Sequence, residues 1–193
     1  GKARMPEKLK DCISNDPTKT EIFIVEGDSA GGHFKQAREG FQACLKLRGK
    51  IINAAKATQT QLFGSTKKGS EQDGNREIKD LTAALGCGVL DQYDESKLRF
   101  SKLIILTDAD PDGLQINCLV LAVFINLFPD MVKQGRVYVS LPPLWCWGTS
   151  AKDFGWCDSV DQIPAGAKNV THFKGLGEMN TDQLDYFLVD KNT

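Results

Sequence analysis

An α/β fold, a Rossmann-like parallel sheet flanked by helices, is what this 193-residue sequence predicts. Three observations carry that prediction. Short β-branched runs alternate with longer helical stretches, the order that builds parallel sheets. Two of these runs, Glu21–Val25 (EIFIV) and Lys102–Thr107 (KLIILT), are largely apolar without alternation, as strands covered on both faces are. Each then enters an acidic turn, Glu26-Gly27-Asp28 in one case and Asp108-Ala109-Asp110 in the other. Ligands of open α/β sheets bind at such C-terminal strand ends.

The elements follow in order. Residues 1–20 are polar, carry Pro6 and Pro17, and read as a lead-in segment. After the first strand, Asp28 or Ser29 is suited to cap a helix from Ala30 to about Glu39. Cys44 to Ile52 reads as a second strand broken by Gly49. Residues 58–76 are rich in Gln, Ser, Thr, Gly and Lys without a period, and a mobile loop is expected there. Glu77 to Leu85 is helical in pattern and stops at Gly86-Cys87-Gly88. After the Lys102–Thr107 strand, Leu114 to Lys133 is apolar on nearly all sides, which predicts a buried helix that Pro129 can split. Arg136 to Leu141 is a further strand closed by Pro142-Pro143. Trp145 to Gly166 is irregular or hairpin-like, Asn169 to Phe173 a short strand, and Thr181 to Val189 a helix. The chain thus divides into a lead-in over 1–20, a main domain over 21–144 and an extension over 145–193.

Composition narrows the function classes. Formal net charge is −1, so the chain lacks the global signature of a free-standing nucleic-acid binder. The charge is unevenly spread. Residues 1–68 hold 13 Lys/Arg against 7 Asp/Glu, while residues 69–193 hold 11 against 18. A basic front and an acidic back suit the handling of an anion and a cation together. The longest apolar stretch, Leu114 to Phe128, is interrupted by Gln115, Asn117 and Asn126 and predicts no membrane span. The chain opens on Gly1 rather than Met, with no apolar segment behind it, and is expected to be a leaderless piece of something longer. Six scattered cysteines without a CxxC, and only His33 and His172, predict reduced thiols in a cytoplasmic setting and no zinc site.

The strongest chemical signal is Asp108, Asp110 and Asp112, spaced by two directly after an apolar strand. If the chain stays extended, all three carboxylates share one side. A divalent cation relieves their repulsion, and hard oxygen ligands favour Mg²⁺. A solvated acidic turn is the bland alternative, and an aspartyl nucleophile of the phosphatase type also remains open. An EF-hand is excluded, because the twelfth position from Asp108 is Leu119 rather than Glu. Glu26 ends the first strand as Asp108 ends the later one, so the two are expected to share a metal site. The glycines of Gly27-Asp28-Ser29-Ala30-Gly31-Gly32 allow close backbone approach, and the helix behind them favours a phosphate. Lys46, Arg48 and Lys50 alternate, followed by Asn53 and Lys56, which suits either a polyanion or a charge-protected edge strand. In Lys174-Gly175-Leu176-Gly177, two glycines permit a tight turn from which Lys174 can reach a phosphate.

Taken together, these segments resemble the Toprim region of type IIA DNA topoisomerases, in particular the C-terminal part of gyrase B and topoisomerase IV B subunits. The residues that carry the likeness are Glu26–Gly32 (EGDSAGG), Leu47–Asn53 (LRGKIIN), Leu81–Gly88 (LTAALGCG), Thr107–Gly113 (TDADPDG), Gly135–Pro143 (GRVYVSLPP) and Lys174–Asn180 (KGLGEMN). They run in the family order and cover most of the chain from about Lys8 to Leu188.

The resemblance implies a Toprim fold and a set of roles. Glu26 is then the catalytic glutamate, a ligand of the first Mg²⁺ and an acid/base at the 3′ oxygen. Asp108 is shared by two metal sites, Asp110 belongs to the second, and Asp112 supports them. Arg48, Lys50, Asn53 and Lys174 face DNA, and Asp28 and Arg48 line the quinolone-like drug region. The implied reaction is reversible double-strand cleavage and religation of DNA. Its tyrosine comes from a breakage-reunion domain or partner subunit, since Tyr93, Tyr138 and Tyr186 match no such motif. ATP would serve an ATPase domain of the complete enzyme, because no Gly-x4-Gly-Lys-Ser/Thr loop occurs here. This piece alone is therefore expected to be inactive. Three departures stand out: Gln115 and Asn117 occupy places where His and a basic residue are common, and the Pro143–Lys174 segment is short, with Trp145, Trp147 and Trp156. They point to a divergent member, of the kind a phage or virus carries, working in the cytoplasm of a bacterium or an infected host cell. A Toprim nuclease using water, and a non-catalytic scaffold, are the competing classes. The KGLGEMN and LRGKIIN segments oppose the first, and retention of all the acidic positions opposes the second.

Overall fold

A computed structural model describes residues 5–27, 38–69, 71–149 and 153–189, the side chains of 188 and 189 excepted. Its centre is a five-stranded sheet in the order β1-β3-β2-β6-β7. These strands are β1 (Leu9–Lys10), β2 (Glu21–Glu26), β3 (Gln42–Leu47), β6 (Lys102–Leu106) and β7 (Val137–Ser140). All neighbours are parallel except β1, which pairs antiparallel with β3 at one edge. Two residues expected in the lead-in thus belong to the sheet, where Leu9 is buried opposite Leu45.

The chain goes from β2 outward to β3, then returns to the other side of β2 to form β6. The strand order therefore reverses between β2 and β6, and a crevice opens at their C-terminal ends. Register puts Val25 beside Leu106 and Glu26 beside Leu47, so Glu26, Arg48 and Asp108 all emerge at that one edge.

Both faces of β2 are covered, which explains why its sequence does not alternate. Ile22 and Ile24 join one core with Leu81, Val120 and Phe124, from the helices α2 (Arg76–Leu85) and α3 (Pro111–Leu127). Phe23 and Val25 join a second core with Cys44, Leu106, Cys146, Phe173, Leu176 and Leu184. That second face is closed by the small antiparallel sheet β10-β8-β9, of β8 (Trp145–Trp147), β9 (Gly155–Cys157) and β10 (Thr171–His172), and by the segment after it. The hairpin expected near Trp145 is one part of this three-stranded sheet.

Four expectations need correction. Residues 58–76 are not a structureless loop. They form the short helix α1 (Gln59–Phe63) and the hairpin strands β4 (Gly64–Ser65) and β5 (Gln72–Asp73). The polar composition conceals a capping box between Thr58 and Gln61, with Leu62 buried behind it. The second strand ends at Leu47, so only Lys46 of the three alternating cations lies on it. The long helix begins at Pro111 rather than Leu114, and Leu114 (64%) and Ile125 (57%) are exposed, so one face is open. Its end is as expected: Phe128 leaves helical geometry before Pro129, and α4 (Pro129–Lys133) follows. The last helix winds as α5 (Thr181–Leu184), capped by Asn180 and Gln183, and continues as a π-type turn over Asp185–Val189. The helix expected from Ala30 lies outside the described residues up to position 37, and Arg38 and Glu39 are not helical.

All six cysteines are free thiols, and among the described residues no helix is long and apolar enough to cross a membrane.

Candidate metal centre

Glu26 closes β2 and is partly buried, and Gly27 turns the chain away with φ +66°. Such a φ suits glycine because a Cβ would clash with its own backbone there. Burial pushes the Glu26 carboxyl above its usual range, and the charges of Asp108, Asp110 and Asp112 push it further the same way, while Lys50 opposes them. These residues, drawn from three segments, thus share one electrostatic neighbourhood.

Across the crevice Asp108 follows β6 and the buried Thr107. Its Oδ1 accepts a hydrogen bond from the Leu176 amide at 2.7 Å. Gly175 makes that approach possible, since a Cβ there would stand 3.1 Å from the Asp108 carboxyl. Asp110 caps α3, its Oδ1 accepting from the Gly113 amide at 2.7 Å. Gly113 is equally constrained, for a Cβ would fall 2.0 Å from the Asp108 carbonyl oxygen. The Thr107 hydroxyl donates to the Gly113 carbonyl at 3.2 Å and closes the turn. Asp112 already sits in the first turn of α3, so the three aspartates do not lie along one extended strand as the spacing implied. Pro111 starts the helix between them and re-aims Asp112. Its Oδ1 lies 3.2 Å from Lys50 Nζ.

The basic side is built differently. Past Leu47, Arg48, Gly49 and Lys50 are exposed loop residues, with Gly49 at φ +69°. The loop is tied to α2, where the Glu77 carboxylate accepts from the Arg48 amide at 3.0 Å and pairs with Lys8. Asn53 turns its side-chain oxygen onto the Ala55 amide at 3.0 Å, so that oxygen serves the local turn. Lys174 is exposed, and its amide donates to Glu178 at 2.8 Å. Asp28 lies outside the described residues. Gln115 is exposed on α3, whereas Asn117 is largely buried and lines a cavity beside Asp108 and Asp110, its Oδ1 without a hydrogen-bond partner.

The donor set decides which metals fit. Among the described residues no three His, Cys, Asp or Glu side chains are grouped so as to clasp an ion by themselves. Zinc, which takes three or four protein ligands, is poorly served. Mg²⁺ keeps several waters and needs only one or two carboxylates, which suits Glu26 and the aspartates opposite. Leu176, Gly175, Gly113 and Glu77 hold the site in place, a supporting role that the sequence pattern does not assign to them. The paired glycines of Lys174-Gly175-Leu176-Gly177 were the available signal.

The Toprim domain family matches residues 21–142, from the first residue of β2 to just past β7, with Glu26 and Asp108–Asp112 inside the match. The chain belongs to the Toprim family. Beyond that domain, similarity extends over nearly the whole chain. The B subunit of DNA topoisomerase 4 from Haemophilus influenzae is 45% identical over 98% of this chain and 30% of its own length. The B subunit of DNA gyrase from Thermotoga maritima is 42% identical over 93% of this chain and 28% of its own. The gyrase counterpart from Streptomyces coelicolor is 41% identical over 98% and 28%. The chain spans about three-tenths of the length of the curated relatives it matches. In this Toprim chain the amide that fixes Asp108 comes from Leu176, beyond the family match but within the part shared with those B subunits.

Proposed function

We propose that this chain is the Mg²⁺-binding Toprim part of an ATP-dependent type IIA DNA topoisomerase. It would support reversible double-strand cleavage and religation, with the attacking tyrosine supplied by a partner domain or subunit. The observation that carries the reading is the convergence of Glu26 and Asp108 on the β2–β6 crevice, with Asp108 locked by Leu176. The kinship with the B subunits of gyrase and topoisomerase 4 supports the same reading.

Glu26 and Asp108 would hold a first Mg²⁺, and Asp108 with Asp110 a second, with Asp112 supporting. Bound there, Mg²⁺ supplies charge neutralisation at the scissile phosphate and stabilises the departing 3′ oxygen. Glu26, whose proton affinity is raised by burial and by its acidic neighbours, is suited to pass a proton to and from that oxygen. Arg48, Lys50 and Lys174, exposed around the crevice, are suited to hold the DNA backbone, with the Asn53 amide group beside them. Asp28 and Arg48 would border the drug-binding region. ATP hydrolysis would belong to another domain of the complete protein, and its place of work would be the cytoplasm of a bacterial or infected cell.

The test is Mg²⁺-dependent cleavage of supercoiled plasmid by this chain alone and by this chain joined to the ATPase and tyrosine-bearing parts. Protein joined covalently to the 5′ ends only in the complete assembly, with religation on chelation, is the expected result. Free ends made by this chain alone would identify a Toprim nuclease instead.

A further inference from the structure

Resting on the metal reading above, the structure points to a further role for one cation. Lys50 Nζ lies 3.2 Å from Asp112 Oδ1, although the two come from opposite sides of the crevice. Lys50 also acts on Glu26, where it offsets the aspartates. No other Lys or Arg forms an ion pair with Asp108, Asp110 or Asp112 among the described residues. Both partners are largely exposed, at 52% and 74% of their side-chain surface, so the pair is held loosely and breaks readily.

We propose that Lys50 is a displaceable counter-ion: it holds Asp112 while the acidic cluster lacks a divalent cation, and its release by that cation frees the ammonium for a DNA phosphate. Competition for one carboxylate then links the two binding events. By reciprocity, whatever draws Lys50 onto a phosphate strengthens divalent-ion binding by the same factor. A fixed basic residue would instead bind DNA without regard to the metal.

The experiment is a Mn²⁺ titration of this chain followed by electron paramagnetic resonance. Lys50→Gln should tighten Mn²⁺ binding about threefold, in keeping with a weak exposed pair. Lys46→Gln, which removes the same charge from the neighbouring strand, should change it much less. In an Asp112→Asn background the gain from Lys50→Gln should shrink well below threefold, because most of it acts through the Lys50–Asp112 contact. Relaxation of the Lys50 side-chain methylenes should also report greater mobility on adding Mg²⁺. Equal gains in both backgrounds, or no gain in either, would overturn the counter-ion role while leaving the metal centre intact. A chain that binds no Mn²⁺, or binds it unchanged after Asp108→Asn, would overturn the metal reading and this inference with it.

Discussion

The acidic and basic sides of the crevice are built to different tolerances. Asp108 and Asp110 stand behind a buried strand and are fixed by backbone amides, Leu176 for one and Gly113 for the other. Arg48 and Lys50 sit on an exposed loop tied down by a single carboxylate, Glu77, and by the loose Lys50–Asp112 pair. The difference matches the ligands each side suits. A divalent ion demands fixed oxygens, whereas a polymer backbone tolerates donors that adjust. Rigidity here is therefore placed residue by residue and does not follow from secondary structure alone.

The comparison can be broken most severely at the carboxylates. Glu26→Ala or Asp110→Ala should lower DNA cleavage by the complete enzyme about 10³-fold; thermal unfolding should change little for Glu26→Ala, whereas Asp110→Ala also removes the cap of α3 and about 1 kcal/mol of stability. Cleavage that survives in either variant removes the residue from the metal set. Gly113→Ala strikes the same side through the backbone. Its Cβ would collide with the Asp108 carbonyl, so a destabilisation of about 2–4 kcal/mol is expected in denaturant titrations. An alanine tolerated there would mean the turn is looser than its contacts indicate. Gly175→Ala is milder, because the Asp108 carboxyl needs to give by only a few tenths of an ångström. Divalent-ion affinity should fall about tenfold with the fold intact, as for other changes behind a metal ligand. On the basic side, Arg48→Ala should reduce DNA affinity only a few-fold and lower the salt slope by about one, uniformly across sequences. A change of sequence preference would argue for a base contact.

A last prediction concerns the scaffold that both sides share. Burial pushes the Cys44 and Cys87 thiols up to about 11, so at a pH of about 8 both stay protonated and enclosed. The exposed Cys118 on α3 should react with a disulfide reagent at least ~100-fold faster than either. Rapid modification of Cys44 would show that the core opens on the experimental timescale.

How far the sequence disclosed these two sides differs as well. The strands that carry Glu26 and Asp108 were readable, because burial on both faces leaves an uninterrupted apolar run. The Asp108–Asp112 spacing was visible but its geometry was not: the step from extended chain to helix at Pro111 separates Asp112 from the other two. The same limit applied to Lys46, Arg48 and Lys50, whose alternation counts only while the strand lasts, and it stops at Leu47. The supporting contacts were least legible. Leu176 offers only its amide to Asp108, 68 positions away, and no side-chain pattern marks a backbone donor. Glu77 looked like the first residue of a helix and is also the anchor of the basic loop.

The most direct test of the metal centre is anomalous diffraction from crystals of this chain grown with Mn²⁺. An anomalous peak is expected between the Glu26 carboxylate and the Asp108–Asp110 carboxylates, lost in Glu26→Gln crystals of the same form. A peak elsewhere, or none in a crystal that keeps the β2–β6 crevice open to solvent, would contradict the metal assignment.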